Sequence, residues 1–285
     1  MKKQIMYQVD AFASELFAGN PAAVCILDAW LPEDLMQAIA SENNLSETAF
    51  ALPVDAGYEI RWFTPENEVA LCGHATLATA HVLFETGKVN EDRIQFLSRE
   101  RGLLHVSREK DQLVLNFPSD PPEAVVLPEG LAGAMGAHPQ ACYRGQTDYL
   151  LIYAKQGDVE ALNPDYSLLL RFDCRGIIAS APGDGVDFVS RFFAPGCGVP
   201  EDPVTGSAHT LLIPYWHNRL SKTKMIAQQR SPRGGELQCE YLGDRVRIGG
   251  RAVTYMKAEL YLPLTIFYLT KAMDLLRRNR RLRQN

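Results

Sequence analysis

Three short stretches place reactive side chains where a strand or a helix should begin. Glu47 lies in Leu45-Ser-Glu-Thr-Ala-Phe50, at the edge of an expected strand after a helix, among apolar neighbours. A carboxyl group desolvated there would have a raised pKa. That suits a group that must take a proton and return it. On residue grounds alone, Glu47 reads first as a cap or salt bridge at a strand start. Cys72-Gly-His74 opens an apolar helical stretch. A histidine in the first turn of a helix favours its neutral form, so it can donate to a substrate oxygen without carrying charge. Glu201-Asp-Pro-Val-Thr-Gly-Ser207 is built in the same way. There Asp202 could meet a substrate ammonium or hydroxyl, or face solvent as loop acids commonly do. Ser207 could bind substrate or be an ordinary first-turn residue.

The two glycine-led stretches belong to an internal repeat. Arg61-Trp-Phe-Thr-Pro65 matches Arg191-Phe-Phe-Ala-Pro195 at an offset of 130. Glu68-Val-Ala-Leu-Cys-Gly-His-Ala75 matches Glu201-Asp-Pro-Val-Thr-Gly-Ser-Ala208 at an offset of 133, so three residues are inserted between the blocks of the second copy. Gly73 and Gly206 each stand at a helix start, where backbone N–H groups lack an intrahelical partner. Glycine lets a ligand approach that backbone closely. Two such helix ends facing each other across an interface would hold a carboxylate from both sides. Arg61 and Arg191, at equivalent places, read as supports of the fold.

The elements that must position these residues are mostly strands. Period-two and β-branched patterns predict strands at 5–10, 22–27, 48–52, 58–63, 93–97, 103–108 and 113–117. In the second half they predict 149–153, 176–180, 187–193, 236–241 and 245–248. Helices are expected at 32–43, 74–86 and 207–219. The proline-rich run after Phe117 reads as a connector. It divides the chain into a lobe of residues 1–118, a lobe of residues 119–263 and a basic tail of residues 264–285. Many strands around few helices, in two halves, point to two α+β lobes and not to a Rossmann sheet.

Composition narrows the class. The 285 residues are 46% hydrophobic and 22% charged, as in ordinary globular proteins. The net charge of −5 divides into −10 over residues 1–263 and +5 over the tail. An acidic body argues against a nucleic-acid groove. No apolar run reaches membrane-spanning length, and the start of the chain reads as a strand and not a signal peptide. Six scattered cysteines without a CxxC pair suit a reducing, cytoplasmic enzyme. The six histidines form no HxxxH or HxH, and no acid or cysteine ligand is suitably spaced near His74 and His81, so no metal is expected. The tail repeats Ile266, Leu269, Met273 and Leu276 at helical spacing, as would an amphipathic helix that packs on the body or a partner; its basic run could instead meet a membrane surface or a polyanion.

Four segments, Phe17-Ala-Gly-Asn-Pro-Ala-Ala-Val24, Ser46-Glu-Thr-Ala-Phe50, Cys72-Gly-His-Ala-Thr76 and Glu201-Asp-Pro-Val-Thr-Gly-Ser-Ala208, together closely resemble the phenazine-biosynthesis isomerase (PhzF-like) family. That family shares the diaminopimelate epimerase fold. The resemblance runs over about residues 5–262, through Val186–Pro195 and Gly249–Val253. It implies two pseudo-symmetric lobes, each a barrel-like sheet around a central helix, with the active site between them. It further implies a cofactor-free homodimer that isomerises a small carboxylate-bearing metabolite. The best understood activity in the family acts on trans-2,3-dihydro-3-hydroxyanthranilate, with a glutamate moving a proton between carbons. By the motif match that glutamate is Glu47. His74 and Asp202 fall where the family assists proton transfer, and Gly73, Gly206 and Ser207 where it binds substrate. Racemases and epimerases of this fold use two thiols, one per lobe. Here Cys72 faces Thr205 in the repeat, and one thiol cannot run a two-base scheme. The alternatives are such a racemase or a catalytically idle binding protein.

Overall fold

The computed structural model describes residues 2–100 and 102–262. The expected helix of the tail lies outside them. The first half of the chain runs β1 (Lys2–Ala11), β2 (Asn20–Ile26), α1 (Glu33–Asn43), β3 (Glu47–Val54), β4 (Gly57–Phe63), β5 (Glu68–Val69), α2 (Gly73–Glu85), β6 (Arg93–Ser98), β7 (Gly102–Glu109) and β8 (Gln112–Pro118). The second half runs β9 (Glu123–Ala124), α3 (Leu131–Met135), β10 (Ala141–Arg144), β11 (Asp148–Ile152), α4 (Gln156–Glu160), α5 (Tyr166–Leu169), β12 (Gly176–Pro182), β13 (Phe188–Ala194) and β14 (Val199–Asp202). It closes with α6 (His209–Leu220), β15 (Lys224–Gln229), β16 (Gly235–Tyr241), β17 (Arg245–Gly250) and β18 (Ala252–Leu262).

The strand pairings repeat in the same order. In the first half β2 runs parallel to β3, β3 antiparallel to β4, and β4 parallel to β6, with β5 folded against β4. In the second half β11 runs parallel to β12, β12 antiparallel to β13, and β13 parallel to β15, with β14 folded against β13. The fold is therefore the expected pair of pseudo-symmetric α+β lobes. Their equivalent strands β8 and β17 pair antiparallel, from Leu113 opposite Gly250 to Pro118 opposite Arg245. Such a pairing places a local two-fold axis between them. Beyond it the chain changes sides twice. β9 leaves β8 and pairs with β10 of the second lobe, while β18 leaves β17 and pairs with β1 of the first. A cut between residues 118 and 119 thus divides the sequence repeats without dividing the sheets.

Each lobe wraps its sheet around one helix. α2 is apolar on every side (Gly-His-Ala-Thr-Leu-Ala-Thr-Ala), and a helix of that kind must be enclosed. Its threonines stay satisfied because the Thr76 and Thr79 hydroxyls donate back to the carbonyls of Cys72 and Ala75. In the second lobe α6 buries Leu211, Leu212, Ile213 and Trp216. The Trp216 ring stacks on Phe188 at 5.5 Å, and its indole N–H donates to Ser180. The expected helix at 207–219 needs one correction. Regular α-helix starts at His209, and residues 206–208 form a tighter turn in which the His209 N–H bonds the Gly206 carbonyl at 3.0 Å. Strands β5, β9, β10, β14, β15 and β18 and the short helices α3, α4 and α5 were not expected from the sequence pattern.

Candidate active site

Both glycine-led turns aim at the seam between the lobes. A Cβ built on Gly73 would stand 3.7 Å from the Gly206 Cα, and one built on Gly206 would stand 3.9 Å from the Gly73 Cα. The two glycines therefore face each other, as the repeat implied. Their supports are duplicated too. Arg61 reaches Glu68 from Nε at 2.6 Å, and Arg191 reaches Glu201 from Nε at 2.7 Å. Both guanidiniums are buried. Each pair ties a long strand, β4 or β13, to the short strand that leads into the turn.

Around this seam the structure gathers Glu47, His74 and Asp202. Glu47 is the first residue of β3, delivered by α1 and the left-handed turn at Asn44. His74 is the second residue of α2, and Asp202 is the last of β14. Glu47 Oε2 lies 3.2 Å from His74 Nε2. The two atoms are too poorly aligned to hydrogen-bond, and each is buried without a partner among the described residues. Burial raises the Glu47 pKa to about 8, the Asp202 charge adds to the rise, and the Cys72 thiol, which hydrogen-bonds the carboxyl, opposes it. Burial lowers the His74 pKa to about 3, so its ring is neutral at physiological pH. Asp202 is raised to about 6 by burial, against the bonds it accepts from Thr205 and Asn20. It is therefore mostly ionised at neutral pH while Glu47 is mostly protonated.

Ser207 lies in the turn before α6, where its Oγ accepts from Arg175 Nη1 at 2.8 Å. Cys72, buried beside Glu47, has its thiol pushed well above the usual range by burial and by the Glu47 charge. Thr205, its repeat counterpart, donates to Asp202 and is braced by Gln229.

Two residues outside the expected set join the site. Asn20 is fully buried and spans the lobes. Its Nδ2 donates to Asp202 Oδ1 at 2.8 Å and to the Val204 carbonyl at 2.9 Å, and it lies 3.2 Å from His74 Nδ1. The preceding Gly19 has φ +67°, and a Cβ there would meet the Ala11 carbonyl oxygen at 2.2 Å, so this turn requires glycine. The Gly-Asn-Pro run was the available signal for Asn20. Arg175, the other addition, sits in Asp-Cys-Arg-Gly176, which carries no motif of its own.

The expectation that no acid or cysteine stands near a histidine is corrected by the fold. Glu47, Cys72 and His74 each bring one ligand-type atom within 4.8 Å of the others. Oxygen, sulfur and nitrogen donors so placed are what a zinc ion takes. A ligating cysteine must be deprotonated, however, and the burial of Cys72 opposes that form.

Comparison with known proteins decides the family. The sequence profile described as phenazine biosynthesis-like protein (PhzC-PhzF) matches residues 9–258. The chain belongs to this family. It is 54% identical over 248 residues to an uncharacterised isomerase of Pseudomonas aeruginosa, covering 87% of this chain and 94% of that one. It is 39% identical over 283 residues to the human phenazine biosynthesis-like domain-containing protein, covering 90% and 98%. The crystal structure of a PhzF-family protein of Enterococcus faecalis superposes with a TM-score of 0.89 at 48% identity, covering 92% of this chain and all of that one. The protein is an isomerase of the PhzF family. No helix among the described residues is long and apolar enough to cross a membrane.

Proposed function

We propose that this isomerase moves a proton between two carbons of a small carboxylate-bearing metabolite, without a cofactor, and that Glu47 is its general acid and base. The observation that carries this reading is Glu47 Oε2, buried at the lobe seam without a hydrogen-bond partner among the described residues, 3.2 Å from a neutral histidine. A catalytic pKa near the working pH maximises both the acceptance and the return of a proton, and about 8 meets that condition. The substrate carboxylate would lie against the backbone N–H groups at Gly73 and Gly206. Ionised Asp202 would take a substrate ammonium or hydroxyl. An ammonium held there would also favour the carboxylate form of Glu47 on binding. His74 Nε2–H would then donate to a substrate oxygen, and Glu47 would lift the proton from one carbon and set it on another.

The racemase alternative needs a thiolate from each lobe. Thr205 supplies none, and the Cys72 thiol is held in its protonated form. A thermal-shift screen of metabolites finds the ligand, since binding to the folded state raises Tm. Solvent deuterium incorporation then reads proton transfer. Glu47→Gln should stop it and Cys72→Ser should not; the opposite pattern would overturn the proposal.

We also propose a homodimer working in the cytoplasm, with no nucleic-acid partner. The acidic body and the six free cysteines support the latter two, and the resemblance supports the dimer. Light scattering showing a monomer at micromolar concentration would refute the dimer.

A further inference from the structure

The second lobe sets a cation beside the seam that the mechanism above does not use. Arg175 immediately precedes Gly176, the first residue of β12, whose counterpart in the first lobe is Glu47 at the start of β3. The guanidinium is held rigidly. Nε donates to Asp148 Oδ1 at 2.9 Å, and Nη2 completes a two-pronged bond to the same carboxylate. Asp148 is only 3% exposed. Nη1 donates to Ser207 Oγ, and the group lies 5.3 Å over the Phe192 ring.

A guanidinium has five N–H donors. Three are used here, so one on each Nη has no partner among the described residues, and the side chain is 36% exposed. Ser207 Oγ already accepts from Arg175 and donates to nothing among the described residues, so its hydrogen is free as well. This edge of the seam therefore offers three free donors, on a guanidinium already braced by the Asp148 carboxylate and close enough to feel the Asp202 charge. Glu47 and Asp202, by contrast, offer carboxyl oxygens. A fixed guanidinium fork beside a hydroxyl matches a carboxylate held through both oxygens.

We infer that Arg175 and Ser207 recognise a second carboxylate on the substrate, beyond the one at the helix ends, so that the enzyme selects small dicarboxylates. The inference takes from the proposed function that the seam is the substrate site and that a first carboxylate lies against the backbone at Gly73 and Gly206; it does not need Glu47 to be the base. Arg175 is a specificity residue in this reading.

Thermal shift and calorimetry at matched ionic strength test it, using malonate, succinate and glutarate, each against the monocarboxylate of equal carbon count. The wild-type protein should bind its best diacid about tenfold tighter than the matching monoacid, the worth of one charge-assisted contact in a partly wet site. Arg175→Met should bring that ratio near one. Because Arg175→Met strands the buried Asp148, the double variant Asp148→Asn with Arg175→Met is measured beside it. Arg175→Lys keeps the charge, loses the fork and should give an intermediate ratio. Glu47→Gln should leave the ratio intact, so the two readings fail separately. No preference in the wild type, no binding of either acid, or a preference that survives in the folded double variant would each overturn the inference.

Discussion

The two lobes share a frame and divide the chemistry. Buried Arg61 and Arg191 pair with equivalent acids, Glu68 and Glu201, although Arg61 also reaches Glu33 whereas Arg191 reaches the carbonyls of Val159 and Leu162. Even the first turns match: the Thr76 hydroxyl bonds the Cys72 carbonyl, and at the equivalent place His209 Nδ1 bonds the Thr205 carbonyl at 2.8 Å. The site residues do not repeat. Where the first lobe has Glu47, Cys72 and His74, the second has Gly176, Thr205 and Ser207. Val69 of the first lobe stands opposite Asp202 of the second. Geometry that any occupant of the seam needs has been kept twice, while groups that must differ on the two sides of a substrate have been kept once. On the proposed reading, an asymmetric reaction runs on a nearly symmetric frame.

The largest effect should come from the unshared residues. Glu47→Gln keeps shape but cannot cycle a proton, so turnover should fall by about 10² to 10⁴, read by solvent deuterium incorporation into the ligand found by thermal shift. The shared residues should instead act on stability, and alike. Arg61→Ala and Arg191→Ala each break a buried pair and should each cost about 3 kcal/mol in urea denaturation. If one is neutral and the other severe, the frame is not shared in the sense argued here.

A third measurement sharpens the contrast through pH. The Glu47 pKa is about 8 in the folded protein, above its unfolded value of about 4.5. Between those values the folded state holds a proton that the unfolded state releases. This group therefore makes the protein less stable as pH rises through that window. Glu47→Gln removes the penalty. Its stability relative to wild type should thus improve from pH 5 to pH 9, by about 2–4 kcal/mol. A difference that stays flat with pH would mean that the carboxyl is not desolvated. The smallest effect belongs to Cys72→Ser, which should change turnover by less than about threefold, because a thiol held protonated contributes no base.

Much of this was legible in the sequence for definite reasons. The repeat blocks located the seam because each buried arginine pairs with an acid seven or ten positions on, close enough in sequence to read. Periodicity found strands with a clear inner face. It missed β15, Lys-Met-Ile-Ala-Gln-Gln, where buried Gln229 breaks the apolar alternation by bonding Thr205. It missed β18 because that strand pairs beside β1 with much of its surface open, so no alternation is imposed. Asn20 lay in a signalled Gly-Asn-Pro run and Arg175 in no motif, but the site role of each depends on a partner 182 or 32 positions away, Asp202 or Ser207. Only the folded chain brings those partners within reach.

The return of β18 to β1 also bears on when this protein can mature during synthesis. Lys2 pairs with Leu262, so the outer edge of β1 stays bare until residue 262 has left the ribosome. Domains usually fold in turn as they emerge, but here β1 must wait for β18, some 250 positions later. Meanwhile β1 presents unpaired backbone groups, which are a template for the wrong partner. Long-range pairing of this kind also slows folding. A nascent chain stalled before residue 252 should therefore show a protease-sensitive first lobe, and protection should arrive abruptly once β18 clears the exit tunnel.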